Sequence, residues 1–269
     1  KGHNSGAGNP VNPQGIKTDY LWKDILTKES LANIIESFSQ VVEEEEEDDN
    51  GRKKKKRKQV FPRYHQLRTV RALLRQAKAD GVGRRYLIQH SAGSGKSNTI
   101  AWLAHQLVEL KTSADPTIAQ FDSIVVITDR TALDTQISKT IKGYDHVASI
   151  LGHSDDSAQL RDFLRRGKKI IIKTVQKFPF VLDELGDMGG SKFALLIDEA
   201  HSSQGGKTTA KMHMALSGEA EEDEASEATT EDKINELIES RRMLANASYF
   251  AFTATPKHKT LELFGEKIV

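Results

Sequence analysis

"QHSAGSGKSN", Gln89–Asn98, is the stretch on which the reading of this chain turns. A phosphate cradle needs small residues, so that backbone N–H groups converge on oxygen atoms. It needs a helix that starts there, a lysine for the outer phosphates and a hydroxyl for magnesium. Gly93 and Gly95 relieve the backbone with Ser94 between them, Lys96 supplies the cation, and Ser97 supplies the hydroxyl and opens the helix. "RRYLIQ", Arg84–Gln89, supplies the preceding strand. His90 stands where the usual pattern has its first glycine. A side chain is compatible with that position when its φ is negative, because the chain is only leaving the strand there. Triphosphate and Mg2+ are therefore the expected ligands.

"FALLIDEAHSSQ", Phe193–Gln204, supplies the partner. A buried apolar strand ends in Asp198-Glu199-Ala200-His201. Asp198 is expected to hold the magnesium, directly or through water, and Glu199 to polarise the attacking water. With Lys96 they form the predicted catalytic set. His201 is open to two readings, a third metal ligand or a switch, and three positions after Asp198 is a poor ligand spacing.

Around these motifs apolar bursts alternate with amphipathic segments. Strands are predicted at 86–89, 123–128, 147–151, 169–174, 193–198 and 249–253. Helices are predicted at 66–80, with Gly81 as its stop, and at 97–111, 132–142, 157–166, 176–185, 208–216 and 232–245. Such alternation implies right-handed crossovers and a parallel sheet buried on both faces. Ligands in such sheets bind beyond the carboxyl ends of the strands, where both motifs fall. The fold class is thus α/β, a three-layer P-loop NTPase domain over residues 59–269 with a mostly parallel central sheet.

Residues 1–58 are expected to be a helical and irregular extension. Its first residues are rich in Gly, Asn and Pro, and Leu31, Ile34, Ile35 and Phe38 then recur at helical spacing behind a cap at Thr27 or Ser30. A seven-residue acidic block, Glu43–Asp49, meets a seven-residue basic one, Arg52–Lys58. Two readings stand: a solvated linker or exposed hairpin tip, or a basic stretch laid on a DNA backbone against competition from the acids. Residues 218–232 hold eight acids and no aromatic side chain, which predicts a flexible surface loop.

Net charge is only +1, so total charge argues neither for nor against nucleic acid. Cysteine is absent, which excludes disulfides and thiolate zinc sites and is compatible with a reducing compartment. Apolar runs such as Phe193–Ile197 are far too short to span a membrane.

At this point the motifs resemble those of superfamily 2 helicases and translocases. "GSGKS" and "IDEAH" look like their first and second motifs and "FTATP", Phe252–Pro256, like their third. "IVVITDRTALDTQ", Ile124–Gln136, "IIIKTVQKF", Ile170–Phe178, and "FPRYHQ", Phe61–Gln66, look like motifs Ia, Ib and the upstream glutamine motif. "HSAGSGKS", "TDRTALDTQI", "KTVQKF" and the leading "KGHNSGAGNPVNPQGIKTDYLW" are closer still to the motor-and-nuclease (R) subunit of type I restriction-modification enzymes.

The resemblance implies a RecA-like first motor lobe, cut from a larger subunit that carries a second lobe and a nuclease. It implies ATP-driven translocation of double-stranded DNA, modification and specificity subunits as partners, and a cytoplasmic location. Gln66 would meet the adenine edge with Phe61 or Tyr64 stacking nearby, although Gln66 also suits a helix cap. His201, Thr253 and Thr255 would couple nucleotide state to DNA grip. Arg130, Lys173, Thr174 and Gln176 would face the DNA backbone, the lysine being equally suited to a solvated rim. Another superfamily 2 helicase, or a nucleotide-gated interaction module without turnover, would share many of these features.

Overall fold

A computed structural model describes residues 11–47, 53–91, 93–128, 151–153, 162–164, 166–198, 244–256 and 258–264. Six strands form one sheet: β3 (Arg85–Gln89), β4 (Ser123–Thr128), β5 (Leu151–His153), β6 (Ile170–Thr174), β7 (Phe193–Ile197) and β8 (Ala247–Thr253). Their order across the sheet is β3-β8-β7-β4-β6-β5, and every pairing is parallel.

Successive side chains of a strand point to opposite faces, and a parallel sheet is covered on both. The core divides accordingly. Ile124, Val126, Ala194, Leu196, Phe250 and Phe252 join one apolar cluster. Their immediate neighbours Val125, Ile127, Leu195, Ile197, Tyr249 and Ala251 join the other. Helices α2 (Tyr64–Asp80) and α3 (Lys96–Glu109) contribute Leu67, Val70, Ile100 and Leu103 to the first cluster. Helices α4 (Phe178–Asp187) and α5 (His258–Phe264) contribute Phe178, Val181, Leu185 and Phe264 to the second. This is the three-layer α/β architecture expected.

Most predicted elements fall within a residue or two of the observed ones, and the departures have local causes. The helix predicted at 176–185 opens as a 3-10 turn, Val175–Lys177, before α4 begins. Pro179 has no N–H to close an α-type bond onto the Val175 carbonyl, which instead accepts from the Phe178 N–H. The strand predicted at 147–151 appears as Leu151–His153. Helix α5 was not anticipated. The helices predicted at 132–142, 208–216 and 232–245 and the acidic loop at 218–232 lie wholly or almost wholly outside the described residues, as does most of that at 157–166.

Residues 28–38 of the expected extension are part of the lobe itself. Helix α1 (Lys28–Ser37) is capped by Thr27, whose side chain accepts from the Ser30 N–H. Ile34 and Phe38 are buried in the first cluster, whereas Leu31 and Ile35 from the same predicted stripe stay exposed. The Trp102 indole donates to the Phe38 carbonyl at 2.8 Å, and the rings stand 5.8 Å apart. The Arg71 guanidinium on α2 donates to Asn33 Oδ1 at 2.8 Å and to the Ser30 carbonyl at 3.2 Å.

Over its described length the charged tract is paired, as the hairpin reading required. Strands β1 (Gln40–Glu47) and β2 (Lys53–Val60) form an antiparallel two-stranded ribbon. Among the described residues no helix is long and apolar enough to cross a membrane.

Trp102 is fully buried, fills the seam between α1 and α3 and satisfies a buried carbonyl. Trp102→Ala should lower the unfolding free energy by about 3–5 kcal/mol, measured by chemical denaturation.

Candidate nucleotide site

Strand β3 ends beside β8, with Gln89 opposite Thr253, and the His90 N–H extends that ladder to the Thr253 carbonyl at 2.8 Å. On the other side of β8, Ile197 lies opposite Ala251. The next residue, Asp198, donates its N–H to the Ile127 carbonyl at 2.8 Å. The loop after β3 and the carboxylate after β7 therefore leave the same edge of the sheet with one strand between them. At about 4.8 Å per strand that is a lateral step of about 10 Å. Asp198 is buried at this edge.

Beyond His90 the chain turns tightly. The Ser94 N–H bonds the Ser91 carbonyl at 3.2 Å. Gly93 has φ 71° and Gly95 φ 85°, a left-handed conformation that side chains resist. Gly95 is also the N-cap of α3. The first residue of that helix, Lys96, is buried, and the helix N-terminus brings its positive end to the loop.

Helix α2 clasps the loop from behind. Gln66 Nε2 donates to the Gly95 carbonyl at 3.0 Å and to the Ser94 carbonyl at 3.4 Å, and His65 Nε2 lies 3.1 Å from the Ser94 carbonyl. In a trans peptide the N–H points opposite to its C=O. With these two carbonyls held towards α2, the N–H groups of Gly95 and Lys96 point the other way, as a phosphate cradle requires. A Cβ on Gly95 would meet Gln66 Nε2 at 2.6 Å and displace that amide, while the φ of 85° is what demands glycine.

His90 fills the floor of this site. It is buried, its ring meets His65 edge-on at 5.4 Å and Phe252 at 6.1 Å, and Nε2 is 3.5 Å from Thr69 Oγ1. Burial, helped by the nearby His65 and Lys96 charges, pushes its pKa down to about 4. The imidazole is neutral at physiological pH. Two buried polar atoms of the loop region, His90 Nδ1 and Ser94 Oγ, have no hydrogen-bond partner within the chain. Buried polar groups are nearly always satisfied, and a phosphate oxygen would satisfy the Ser94 hydroxyl. Ser97 and Asp198 offer oxygen donors of the hard type that magnesium takes.

The remaining sequence-derived residues divide. Gln66 caps its helix and grips the loop at once, its Oε1 accepting from the Arg63 N–H at 2.8 Å. Phe61 is exposed and Tyr64 half-buried beside it. Thr253 is fully buried and Thr255 exposed. Lys173 corrects its expectation. It is only 2% exposed, because it falls on the sheet face shared by Ile127 and Ile171, which the second apolar cluster covers. Both a DNA-facing and a rim role required a surface ammonium. Thr174 is half-buried at the end of the same strand, and Gln176 lies in the 3-10 turn. Arg130, Glu199 and His201 lie outside the described residues. Sequence reasoning missed His65 and Thr69, which were findable as i, i+4 neighbours on the face of α2 that carries Gln66.

A parallel α/β sheet with this loop and this carboxylate at one edge defines an ATP-binding P-loop domain of the superfamily 2 type. The chain belongs to the SWI2/SNF2 ATPase family, whose model matches residues 65–221, more than half of its length. It is 24% identical over 282 residues to the type I restriction enzyme MjaIXP endonuclease subunit of Methanocaldococcus jannaschii, covering 97% of this chain and 21% of that one. It is 30% identical over 195 residues to the type I restriction enzyme HindI endonuclease subunit of Haemophilus influenzae, covering 66% of this chain and 16% of that one. The chain thus spans about a fifth or less of these curated relatives. Among solved structures, the UvsW helicase of bacteriophage T4 superposes with a TM-score of 0.47 at 15% identity, over 89% of this chain and 65% of that one.

Two outcomes follow from the geometry. Gly95→Ala should abolish nucleotide binding, read by fluorescent-analogue titration, because a side chain strains the φ of 85°. The second concerns pH. The folded pKa of His90 lies below its ordinary 6.5, so between pH 6.5 and 4 the unfolded chain takes up a proton that the folded chain refuses. The stability contributed by neutral His90 is full above pH 6.5 and is lost as pH falls towards 4. His90→Gln should therefore lose less stability than the parent between pH 7 and 4.5 in denaturant midpoints; equal losses would contradict a buried neutral imidazole.

Proposed function

We propose that this chain is the first, ATP-binding motor lobe of a type I restriction endonuclease subunit. In this reading it couples ATP hydrolysis to translocation of double-stranded DNA before cleavage. The observation that carries the proposal is the α2-clasped loop with Lys96 at a helix start, one strand removed from buried Asp198. The likeness to two type I endonuclease subunits supports the restriction context.

Lys96 attracts the outer phosphates, and the loop N–H groups bind their oxygens. Ser97 and Asp198 would hold magnesium, which would offset the negative charge of the phosphates. Glu199, next in sequence to Asp198, orients and deprotonates the attacking water. Gln66 would meet adenine beside Phe61 or Tyr64. The His90 N–H bond to Thr253 links the phosphate loop to the end of β8, two residues before Thr255, a route from nucleotide state to DNA grip that His201 would share. Arg130, Thr174 and Gln176 would meet the DNA backbone, mainly through phosphates without sequence reading. Modification and specificity subunits would supply target choice, in the cytoplasm.

In the complete subunit, Lys96→Ala should abolish ATP-driven translocation in a triplex-displacement assay while leaving the thermal melt unchanged; full translocation would overturn the loop assignment. The 269-residue chain alone should bind ATP-Mg weakly and hydrolyse it slowly. A transition-state arginine from a second lobe is worth on the order of 10³ or more in rate at related sites.

A further inference from the structure

The ribbon β1–β2 is not used by the nucleotide site, and its register sets two opposed charge blocks side by side. Glu43 pairs with Arg57, Glu44 with Lys56, Glu45 with Lys55, Glu46 with Lys54 and Glu47 with Lys53. Five consecutive acids thus lie directly opposite five consecutive bases. Directly opposed positions share a face, so the register places 43, 45 and 47 with 57, 55 and 53 on one side, and 44 and 46 with 56 and 54 on the other. Opposite charges at opposed positions favour that register, and like charges along either strand alone disfavour it. Lys56, Arg57 and Lys58 are exposed to water.

The ribbon is rooted rather than tethered. Gln59 Nε2 donates to Ser39 Oγ at 3.1 Å, and Phe38, two residues before β1, is held by the Trp102 indole. Val60 packs against the first core cluster. Four residues beyond Val60, α2 begins, and its first turn carries His65 and Gln66 onto the phosphate loop. A two-stranded ribbon also has the width that the DNA major groove admits.

We propose that this ribbon is a self-masked arm for duplex DNA, in which the acidic strand occupies the basic strand until a denser polyanion replaces it. Charge spacing decides which polyanion succeeds. Strand β1 presents one carboxylate per about 3.4 Å of strand. Duplex DNA presents one phosphate charge per about 1.7 Å of axis, and one of its strands one per about 3.4 Å. The duplex is therefore twice as dense as the mask, whereas a single strand or an acidic peptide only matches it. The mask is a selectivity filter that leaves duplex backbone as the favoured occupant of Lys53–Lys58. The choice of duplex DNA rests on the motor reading above; the self-masking rests on the register alone.

The test uses the 269-residue chain without ATP and measures fluorescence anisotropy against a labelled duplex, its single strand and polyglutamate. The parent should favour the duplex by about tenfold or more at low salt. The variant with Glu43–Glu47 all changed to Gln should bind all three ligands more tightly. It should gain most for the single strand and polyglutamate, so that duplex preference shrinks, and its log affinity should fall more steeply with log salt, by about 2 or more. Adding Gln at Lys53–Lys58 should erase the gain. No gain, an equal gain for all ligands, or a gain that survives loss of the cations overturns the proposal. So does parent binding of polyglutamate as tight as that of duplex, which would make an acidic protein the partner. If the glutamine variant fails to fold, Lys56→Gln, Arg57→Gln and Lys58→Gln in the parent should weaken duplex binding and lower the salt slope by about 2–3; no change overturns the proposal equally. A chain that binds duplex in this way yet never hydrolyses ATP as part of its subunit would sink the motor reading and leave the arm standing.

Discussion

The hydrogen-bonded ladder running from β3 through β8 to β7 governs the geometry of this molecule. It sets a step of one intervening strand between the lysine-bearing loop and the aspartate, and aligns the strand ends so that both leave the same edge. Side chains on rigid parallel strands can be held to that spacing only while both faces of the sheet are covered. The division of alternate strand residues between two apolar clusters shows that they are. The core is in this sense part of the site: Phe252 faces the first cluster and also forms a wall for the His90 ring.

The clasp from α2 acts on top of that frame. Two left-handed glycines make the loop pliable, and a pliable loop does not by itself aim its N–H groups. His65 and Gln66 hold the Ser94 and Gly95 carbonyls and so choose which way the peptides face. The same helix is tied to α1 through Arg71 and ends where Gly81 takes a positive φ. The N-terminal segment, the phosphate loop and the first core cluster therefore form one mechanical unit. A residue at the first loop position that is larger than glycine belongs to this unit: His90 gives its N–H to β8 and its ring to α2 and Phe252. It fills a gap that glycine would leave.

The charged ribbon follows different physics. Lys56, Arg57 and Lys58 are exposed, and an exposed ion pair contributes about 0.2–1 kcal/mol, which salt weakens further. The lobe does not depend on it for stability, which lies in buried apolar surface. Its order depends on matching register, and that is a property of two strands rather than of either block alone.

Much of the fold was legible because a doubly buried parallel strand announces itself. Ile124–Ile127 and Phe193–Ile197 are unbroken apolar runs with a polar residue at each end, and the strands there fell where predicted. The placement of Lys96 and Ser97 at a helix start and of Asp198 at a strand end was legible as well, since α3 and β7 fall where predicted. Sequence alone determined these, along with the alternation that makes the sheet parallel, since each follows from local spacing. Tertiary structure decided what depends on neighbours distant in the chain. It turned two opposed charge blocks into a ribbon, drew α1 into the core through Trp102, buried Lys173 on a covered face of the sheet and brought His65 beneath the phosphate loop. A residue's own type limits what it can do, but burial and partners arise only when segments far apart in sequence pack together.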